Sequence, residues 1–355
     1  MSIFFIIAAI LMLGVMVTVH ELGHFIAAKS FNVKVHEFSL GMGPAILKKQ
    51  GKETLYSIRL FPVGGFCAME GEDGEEEDEN GQLVVPDERS FCAKKPWQKM
   101  IILAAGSFMN VTCAVLIMSL VLGIMGFTTN RIGEVLPDSP AEQAGLLAGD
   151  EIIAINGKPV ETWNDVMTCM PEDGSAAEIY VDGRNGERLL TVQPELQDVL
   201  DADGNVTGQK YAVGITTKIS HSPFKALVSG TQATWNIGKM IFESLGMLFS
   251  GEAGADDLTG PVGMVQMVSD SVDYGFWYYG FLTAMICVNL AIINMLPLPA
   301  LDGGRIIFVL ITLITGKKVS EKIEGTVHML GMALLLGLMV YVCFNDVIRI
   351  FFSGQ

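Results

Sequence analysis

The sequence predicts an α-helical polytopic membrane protein with four membrane-spanning regions, a membrane-associated β-hairpin and one inserted α+β domain outside the membrane. Half of its 355 residues are hydrophobic, and its mean hydropathy of +0.43 is high for a soluble globular protein. The apolar residues are concentrated in four long segments. A stretch of short apolar runs and turn residues separates the second segment from the third, which predicts the inserted domain.

The four apolar segments have roughly the 20 residues that a helix needs to cross a bilayer. They give four predicted membrane regions, residues 1–29, 100–127, 276–315 and 327–351. The first segment could instead be a secretory signal peptide, but it lacks a basic start and a small-residue cleavage site. Residues 224–250 mix apolar residues with Lys and Glu, which predicts an amphipathic helix at the membrane interface.

The distribution of lysines predicts the orientation, because Lys and Arg are enriched in cytoplasmic loops. Lysines flank the loop at residues 30–99 and occupy the connection between the third and fourth regions. Both are therefore predicted to be cytoplasmic. Both termini and residues 128–223 are then extracytoplasmic, which is a consistent alternation for four spans.

The net charge of −16 arises largely from residues 70–80, EGEDGEEEDEN. A block of like charges predicts a disordered, solvated loop; a site for a metal or a basic partner is the alternative. Nothing in the composition indicates a nucleic-acid partner. The six cysteines contain no C-x-x-C pair and predict no disulfide framework.

The loop at residues 30–99 contains strand-like stretches. Residues 53–69 alternate their side chains as a hairpin strand does, and Pro and Gly at 62–65 mark a turn or an edge. One interpretation is a small sheet on the membrane surface. The other is an edge strand near residues 55–61 that pairs with an extended peptide.

Residues 130–218 form the predicted insert. Its stretch SPAEQAGLLAGDEIIAINGKPV contains a short helix, a strand and an Asn-Gly turn, and it resembles a PDZ domain in the permuted arrangement of bacterial proteases. A second hairpin is expected in YVDGRNGERLL. The stretch at residues 201–211, DADGNVTGQKY, is similar to a calcium loop but lacks the Glu that such a loop requires, which favours a hairpin turn.

Residues 20–24, HELGH, place two histidines four residues apart at the end of the first apolar segment. On a helix this spacing puts both imidazoles on one face, roughly 6 Å apart along the axis. Both can then bind one zinc ion, while Glu21 can act as a general base on water. The alternative is a pair of structural histidines, which is disfavoured because ionisable groups within the membrane are costly.

A catalytic zinc ion needs a third protein ligand and one open position. Sequence position leaves His36 and His328 as candidates and places His221 outside the membrane. Asp302 is a better candidate because it lies in a break rich in Pro and Gly, NMLPLPALDGGR. Within a membrane region such a break is tolerated only inside protein or a wet cavity. The alternative is that Asp302 caps an ordinary helix.

Three motifs, in this order, resemble the site-2 protease family, peptidase family M50, over nearly the whole chain. They are HELGH in the first membrane region, the PDZ-like insert after the second, and N-x-x-P-x-P-x-L-D-G from Asn294 in the third. The resemblance is to the branch of the bacterial regulator-of-sigma-E protease, with a single PDZ domain. Asn110 matches a family position of undefined role, and Ser107 departs from the Pro that many relatives have there.

The resemblance implies an intramembrane zinc protease that cleaves single-span membrane proteins, such as anti-sigma factors or signal-peptide remnants, within the lipid bilayer. It implies Zn²⁺ ligands at His20, His24 and Asp302, a base at Glu21, and an Asn294 amide that holds the substrate backbone or the oxyanion. The site would face the cytoplasmic side of a bacterial inner or plasma membrane. The PDZ domain would bind substrate C-termini or exclude large external domains.

Two other functions fit part of the sequence. A non-catalytic membrane PDZ scaffold would explain the insert but not Asp302 and Asn294 in a Pro/Gly break. A metal transporter would need polar residues along several spans, and the second and fourth have few. Zinc bound without cleavage in a Glu21→Gln variant distinguishes the enzyme from both.

Overall fold

The computed structural model of the protein describes residues 3–72, 87–200, 206–252, 254, 260–271, 275–317 and 319–352. They divide into two compact units, Met1–Val121 with Gly230–Gln355, and Leu122–Ser229. The helices are α1 (Ile3–Ser30), α2 (Pro96–Met125), α3 (Pro140–Gln143), α4 (Trp163–Cys169), α5 (Pro223–Ser250), α6 (Pro261–Ser271), α7 (Phe276–Met295), α8 (Asp302–Thr315) and α9 (Glu321–Phe352). The strands are β1 (Val35–Gln50), β2 (Leu55–Met69), β3 (Phe127–Val135), β4 (Glu151–Ile155), β5 (Lys158–Pro159), β6 (Ala177–Gly183), β7 (Gly186–Val192), β8 (Glu195–Leu200), β9 (Val206–Ala212) and β10 (Ile215–Ser220).

Four helices are long and apolar enough to cross a membrane, and they lie within α1, α2, α7 and α9. The protein is therefore a multi-pass membrane protein, as the composition predicts. The mixed segment at 224–250 forms one helix, α5; its place at the interface and the orientation of the chain stay predictions. The predicted disordered acidic run lies mostly outside the described residues, which end at Glu72 and resume at Asp87.

The third predicted membrane region consists of two helices with a break between them. Helix α7 ends at Met295 and α8 begins at Asp302, because the intervening prolines lack the N–H that a helix requires. Leu301 occupies the N-cap position of α8. Asp302 is therefore the first helical residue and not the cap, and its side chain is available for another role.

Helix α9 packs against this break. The Ala300 backbone N–H donates to His328 Nδ1 at 2.8 Å, and Ala300 has a φ of 72°, which is uncommon for a residue with a side chain. A β-carbon on Gly331 would lie 2.3 Å from Pro299 Cβ, so the α9 backbone comes unusually close to the break. These contacts fix the path of the chain into Asp302.

Strands β1 and β2 pair in a sheet that folds back on itself. Phe38 has Cα partners in both Cys67 and Tyr56, and Tyr56 has a second partner in Lys49. Residues 55–58 are therefore paired on both sides, and the prediction of an edge strand near 55–61 is wrong for them. The order of segments across the sheet is 65–69, 35–40, 55–58 and 45–50.

The second unit contains a sheet with the order β10-β3-β4-β6-β7, and β5 pairs with β4. The predicted Asn-Gly turn is confirmed, because Asn156 and Gly157 have φ values of 50° and 75° between β4 and β5. The hairpin expected in YVDGRNGERLL is formed by β6 and β7. Strands β8 and β9 also pair, although residues 201–205 between them lie outside the described part. Whether this unit is a PDZ domain stays a prediction.

Candidate active site

The HELGH motif lies near the end of α1, and both of its histidines face the protein interior. His20 and His24 are each 6% exposed, whereas Leu22 and Ile26 on the other face are 37% and 47% exposed. The predicted helical spacing brings the two rings together, with their centroids 4.8 Å apart. The motif thus presents two buried imidazoles on one helix face.

Asp302 meets these two imidazoles from the start of α8. Its Oδ2 lies 3.1 Å from His20 Nε2 and 3.4 Å from His24 Nε2. The two Nε2 atoms are 3.2 Å apart. The three candidate ligand atoms therefore form one small triangle, although Asp302 lies 278 residues after His24 in the chain.

The hydrogen bond at the far side of His24 defines what its Nε2 can do. His24 Nδ1 lies 2.8 Å from the Ile102 carbonyl oxygen on α2. A carbonyl only accepts, so Nδ1 carries the proton and donates it. In the neutral ring Nε2 then presents a lone pair toward Asp302, as a metal-ligating histidine does.

The triangle fits a zinc ion. Tetrahedral zinc ligands at about 2.0–2.1 Å from the metal lie roughly 3.3–3.4 Å from one another, close to the observed separations. Asp302 Oδ2 is buried and makes no hydrogen bond in the described structure. Lone pairs of a carboxylate and an imidazole so close together repel one another unless a proton or a metal ion lies between them. Three protein ligands would leave one position open, as a catalytic zinc requires.

Asn110 supports the other histidine from α2. Its side chain is fully buried, and its amide lies 3.5 Å from His20 Nδ1. The Oδ1 atom of Asn110 has no hydrogen-bond partner in the described structure. Oxygen and nitrogen exchange places when the amide rotates by half a turn. In that rotamer Oδ1 accepts from His20 Nδ1–H, which satisfies both groups and leaves His20 Nε2 as a ligand.

Asn294 and Glu21 complete the surroundings of the triangle. Asn294 Nδ2 lies 3.4 Å from His20 Nε2, so an amide donor points at the same small volume. Glu21 directly follows His20 in α1. A β-carbon on Gly65 would lie 3.6 Å from Glu21 Cγ, which places the glutamate beside β2.

The other predicted ligands point elsewhere. His328 Nδ1 accepts the Ala300 N–H, and His36 Nε2 lies 3.5 Å from Glu70 Oε2 with an exposed side chain. In the described part of the chain, the one group of three His, Cys, Asp or Glu side chains arranged to hold a metal ion is His20, His24 and Asp302. His328 is therefore a support of the break and not a member of the group.

Two ion-pair connections tie the site to the β1–β2 sheet. Arg305, one turn after Asp302, pairs with Glu72 just beyond β2. The Glu53 carboxylate accepts from Arg89 at 2.7 Å and from Lys29, at the end of α1, at 2.8 Å. The Arg89 and Lys29 hydrogen bonds lower the pKa of Glu53 to about 2. These pairs were not predictable from the sequence, because their partners are distant in the chain.

The chain is similar to known proteins over nearly its whole length. The model of peptidase family M50 matches residues 8–338. The chain is 30% identical to the zinc metalloprotease RasP of Geobacillus kaustophilus, with 98% of each chain covered. It is 32% identical to the zinc metalloprotease RasP of Oceanobacillus iheyensis, with 98% of this chain and 99% of that one covered.

Proposed function

Because the chain belongs to peptidase family M50, and is thus a zinc metalloprotease of the membrane, we propose that it hydrolyses peptide bonds in or near the transmembrane segments of single-span proteins. One observation carries this proposal. His20 and His24 lie on an apolar helix long enough to cross a bilayer, and they meet Asp302 at 3.1 Å and 3.4 Å. Ligands in that position would act on bonds within the membrane.

We assign His20, His24 and Asp302 as the residues that hold zinc. Zinc, when bound, supplies a Lewis acid for the scissile carbonyl and lowers the pKa of water toward about 7. The hydrogen bonds from His24 Nδ1 to the Ile102 carbonyl and between His20 and Asn110 orient the two rings. Such outer contacts fix the tautomer of a ligating histidine.

Glu21 is the proposed general base. It takes the proton of the attacking water and passes it to the leaving amine, which is the role of the glutamate in H-E-x-x-H. Its place directly after His20 and beside Gly65 of β2 supports this role. The Asn294 amide, 3.4 Å from His20 Nε2, would donate a hydrogen bond to the substrate carbonyl as negative charge develops on its oxygen.

A helical substrate must unwind before cleavage, because its carbonyls are bonded within the helix. We infer that the unwound segment pairs with β2 near Pro62–Gly65. In the described sheet residues 62–64 have no Cα partner in β1, and Gly65 is the residue beside Glu21. Residues 55–58 do not fit this role because both of their sides are occupied.

Proline substitutions test this pairing. Val63→Pro removes one backbone donor and is expected to lower cleavage at least tenfold while zinc stays bound. Ile46→Pro, on the segment at the other end of the sheet, is the matched control. Equal cleavage by both variants would contradict pairing at 62–65.

The second unit has a groove that suits an extended peptide. It has a volume of about 550 Å³, and Trp163, Val166, Met170, Val213 and Ile215 are among its lining residues. Strand β10 is at one end of the sheet, so a peptide could add to its edge as ligands of PDZ domains do. A substrate C-terminus is the proposed occupant.

Deletion of residues 131–218 distinguishes recruitment from filtering. If the domain recruits trimmed substrates, the deletion lowers their cleavage. If the domain excludes proteins with large external parts, the deletion allows cleavage of untrimmed substrates.

The proposed orientation, with both termini and this domain extracytoplasmic, is tested by protease accessibility in sealed vesicles.

The experiment that tests the function measures zinc content and cleavage of a single-span substrate in purified wild type, Asp302→Ala and Glu21→Gln. We expect about one zinc per chain in wild type, reduced zinc in Asp302→Ala, and zinc without cleavage in Glu21→Gln. A wild-type protein that binds no zinc and cleaves no membrane-embedded substrate would favour the scaffold instead.

A further inference from the structure

A cavity of about 460 Å³ lies in the first unit among α1, α2 and α7. Cavities of this size hold small ligands or several side chains. The mechanism above does not use it. Its lining includes Met12, Met16, Cys113, Ile117, Thr283 and Cys287.

The cavity lies along the same helix faces as the residues of the candidate site. On α1, Met12 and Met16 precede His20 at intervals of four residues, so they share its helix face. On α2, Cys113 and Ile117 follow Asn110 at intervals of three and four. On α7, Cys287 precedes Asn294 by seven residues, which is close to two turns. The same three helices therefore enclose both the triangle and the cavity.

The polar side chains in the cavity wall are Thr283, Tyr279 and two cysteines, and the threonine hydroxyl already has a partner. The Thr283 hydroxyl donates to the Tyr279 carbonyl at 2.7 Å and lies 3.4 Å from Met12 Sδ. Cys113 and Cys287 are free cysteines, and a thiol is only a weak hydrogen-bonding group. The remaining lining named above is hydrophobic. An apolar group therefore fits this cavity, because a polar one would lose hydrogen bonds to water without replacement.

The cavity can be reached from the side of α1 that faces outward. Its lining also includes Ile7, Leu11 and Val15, which are 52%, 51% and 61% exposed. Since α1 is long and apolar enough to span a bilayer, this rim would face lipid. A membrane-embedded segment could therefore enter without crossing water.

We propose that this cavity is a specificity subsite, which binds apolar side chains of the substrate's transmembrane segment next to the scissile bond. The proposal rests on the proposed function. Met16 and Met12 lie roughly 6 Å and 12 Å along α1 from His20. An extended substrate rises about 3.3 Å per residue, so the side chains concerned are roughly two to four residues from the cleaved bond. The place of the cavity on the helix faces that carry the site residues favours this occupant over a lipid chain, which has no reason to align with those faces.

The first test fills the cavity. Thr283→Phe adds volume, and Thr283→Val removes the hydroxyl at nearly constant volume and is the matched control. Both are assayed in vesicles on single-span substrates with Ala, Leu or Phe at one position two to four residues from the cleavage site. Thr283→Phe is expected to lower kcat/KM for the Leu and Phe substrates about 10- to 200-fold, the range for pocket discrimination by size. The Ala substrate should change much less, and zinc content should stay at the wild-type value.

The second test does not depend on cleavage. Single-cysteine substrates, each with its cysteine at one of these positions, are incubated with the zinc-loaded Glu21→Gln protein and a short bis-methanethiosulfonate cross-linker. The cross-linker forms a disulfide with the substrate thiol and one with a protein thiol, and two sulfinates are released. We expect an adduct at Cys113 that is lost in Cys113→Ser. A substrate cysteine ten residues further along is the control and should not react.

These results separate the two proposals. Wild-type cleavage with no Cys113 adduct at any of the positions, and with equal loss for all three substrates in Thr283→Phe, would overturn the subsite and leave the protease function standing. It would also assign the cavity to lipid. Absence of cleavage by the wild type would overturn the function itself.

Discussion

A β-carbon on Gly106 of α2 would lie 2.4 Å from His24 Nε2 and 2.6 Å from His20 Cε1. The α2 backbone is therefore the wall against which both histidine rings pack. The approach is mutual, because a β-carbon on Gly23 of α1 would lie 2.2 Å from the Ala105 carbonyl oxygen. Small residues allow this close crossing of membrane helices, and the crossing positions Asn110 and the Ile102 carbonyl.

Gly106→Ala is expected to displace the imidazoles and weaken zinc binding by at least about 10- to 100-fold, as loss of ligand support does in other metal sites. Equilibrium dialysis against a zinc chelator measures this affinity. Gly337→Ala in α9 is the matched control, because no described atom lies within 4 Å of the added carbon. Wild-type affinity in Gly106→Ala would show that the rings do not depend on this wall.

The grouping of the candidate ligands was predictable from local spacing, whereas the contacts that support them were not. The interval between His20 and His24 encodes a shared helix face, and an aspartate in a Pro/Gly break indicates a site. Nothing near Gly106 or Ile102 in the sequence marks them as neighbours of a histidine some 80 residues earlier. Contacts of that kind depend on how two apolar helices cross, and a uniformly apolar pattern does not specify the crossing.

In the fold, too, local features were predictable from the sequence and tertiary contacts were not. Four apolar segments predict four long helices, because length and hydropathy are local properties. The register of β1 and β2 was not predictable, since residues 37–40 pair on both sides and the sequence contains no signal for the fold-back. Asp346 in α9 is another example: it is 1% exposed and accepts the Gly263 N–H of α6 at 2.7 Å, a tertiary helix contact that the local sequence does not indicate.

His328 is predicted to act as a positioning residue for Asp302. Its Nδ1 accepts the Ala300 N–H, and removing it leaves that donor without its partner, at a cost of about 1–3 kcal/mol. His328→Ala should therefore lower cleavage about tenfold and also weaken zinc binding. His328→Asn, which retains an acceptor, should restore part of both. His36→Ala, an exposed histidine, is the control; equal effects at His36 and His328 would contradict the prediction.

The Glu53 ion pairs predict a pH dependence outside the membrane. Hydrogen bonds from Arg89 and Lys29 lower the pKa of Glu53 to about 2, from an ordinary value of 4.5. The folded state therefore favours the ionised carboxylate. Its stabilisation is complete above pH 4.5 and is lost as the pH falls through about 2. Between these values the protection of the β1–β2 turn from hydrogen exchange should fall more steeply in wild type than in Glu53→Gln. Parallel curves would contradict the assignment.

In the second unit we expect the loss of a buried ion pair to cost more free energy of unfolding than the loss of an exposed one. Asp150 is 2% exposed; its Oδ2 accepts from Arg188 at 2.5 Å and from the Leu147 N–H at 3.1 Å. Arg188→Met leaves that carboxylate buried without its cation, so we expect a loss of about 3 kcal/mol in the free energy of unfolding of this unit. Proteolysis in a urea series on the full chain measures it. The exposed pair of Arg131 and Glu151 is the control: Arg131→Met should cost less than about 1 kcal/mol. Similar losses in the two variants would mean that burial does not decide the strength of these pairs.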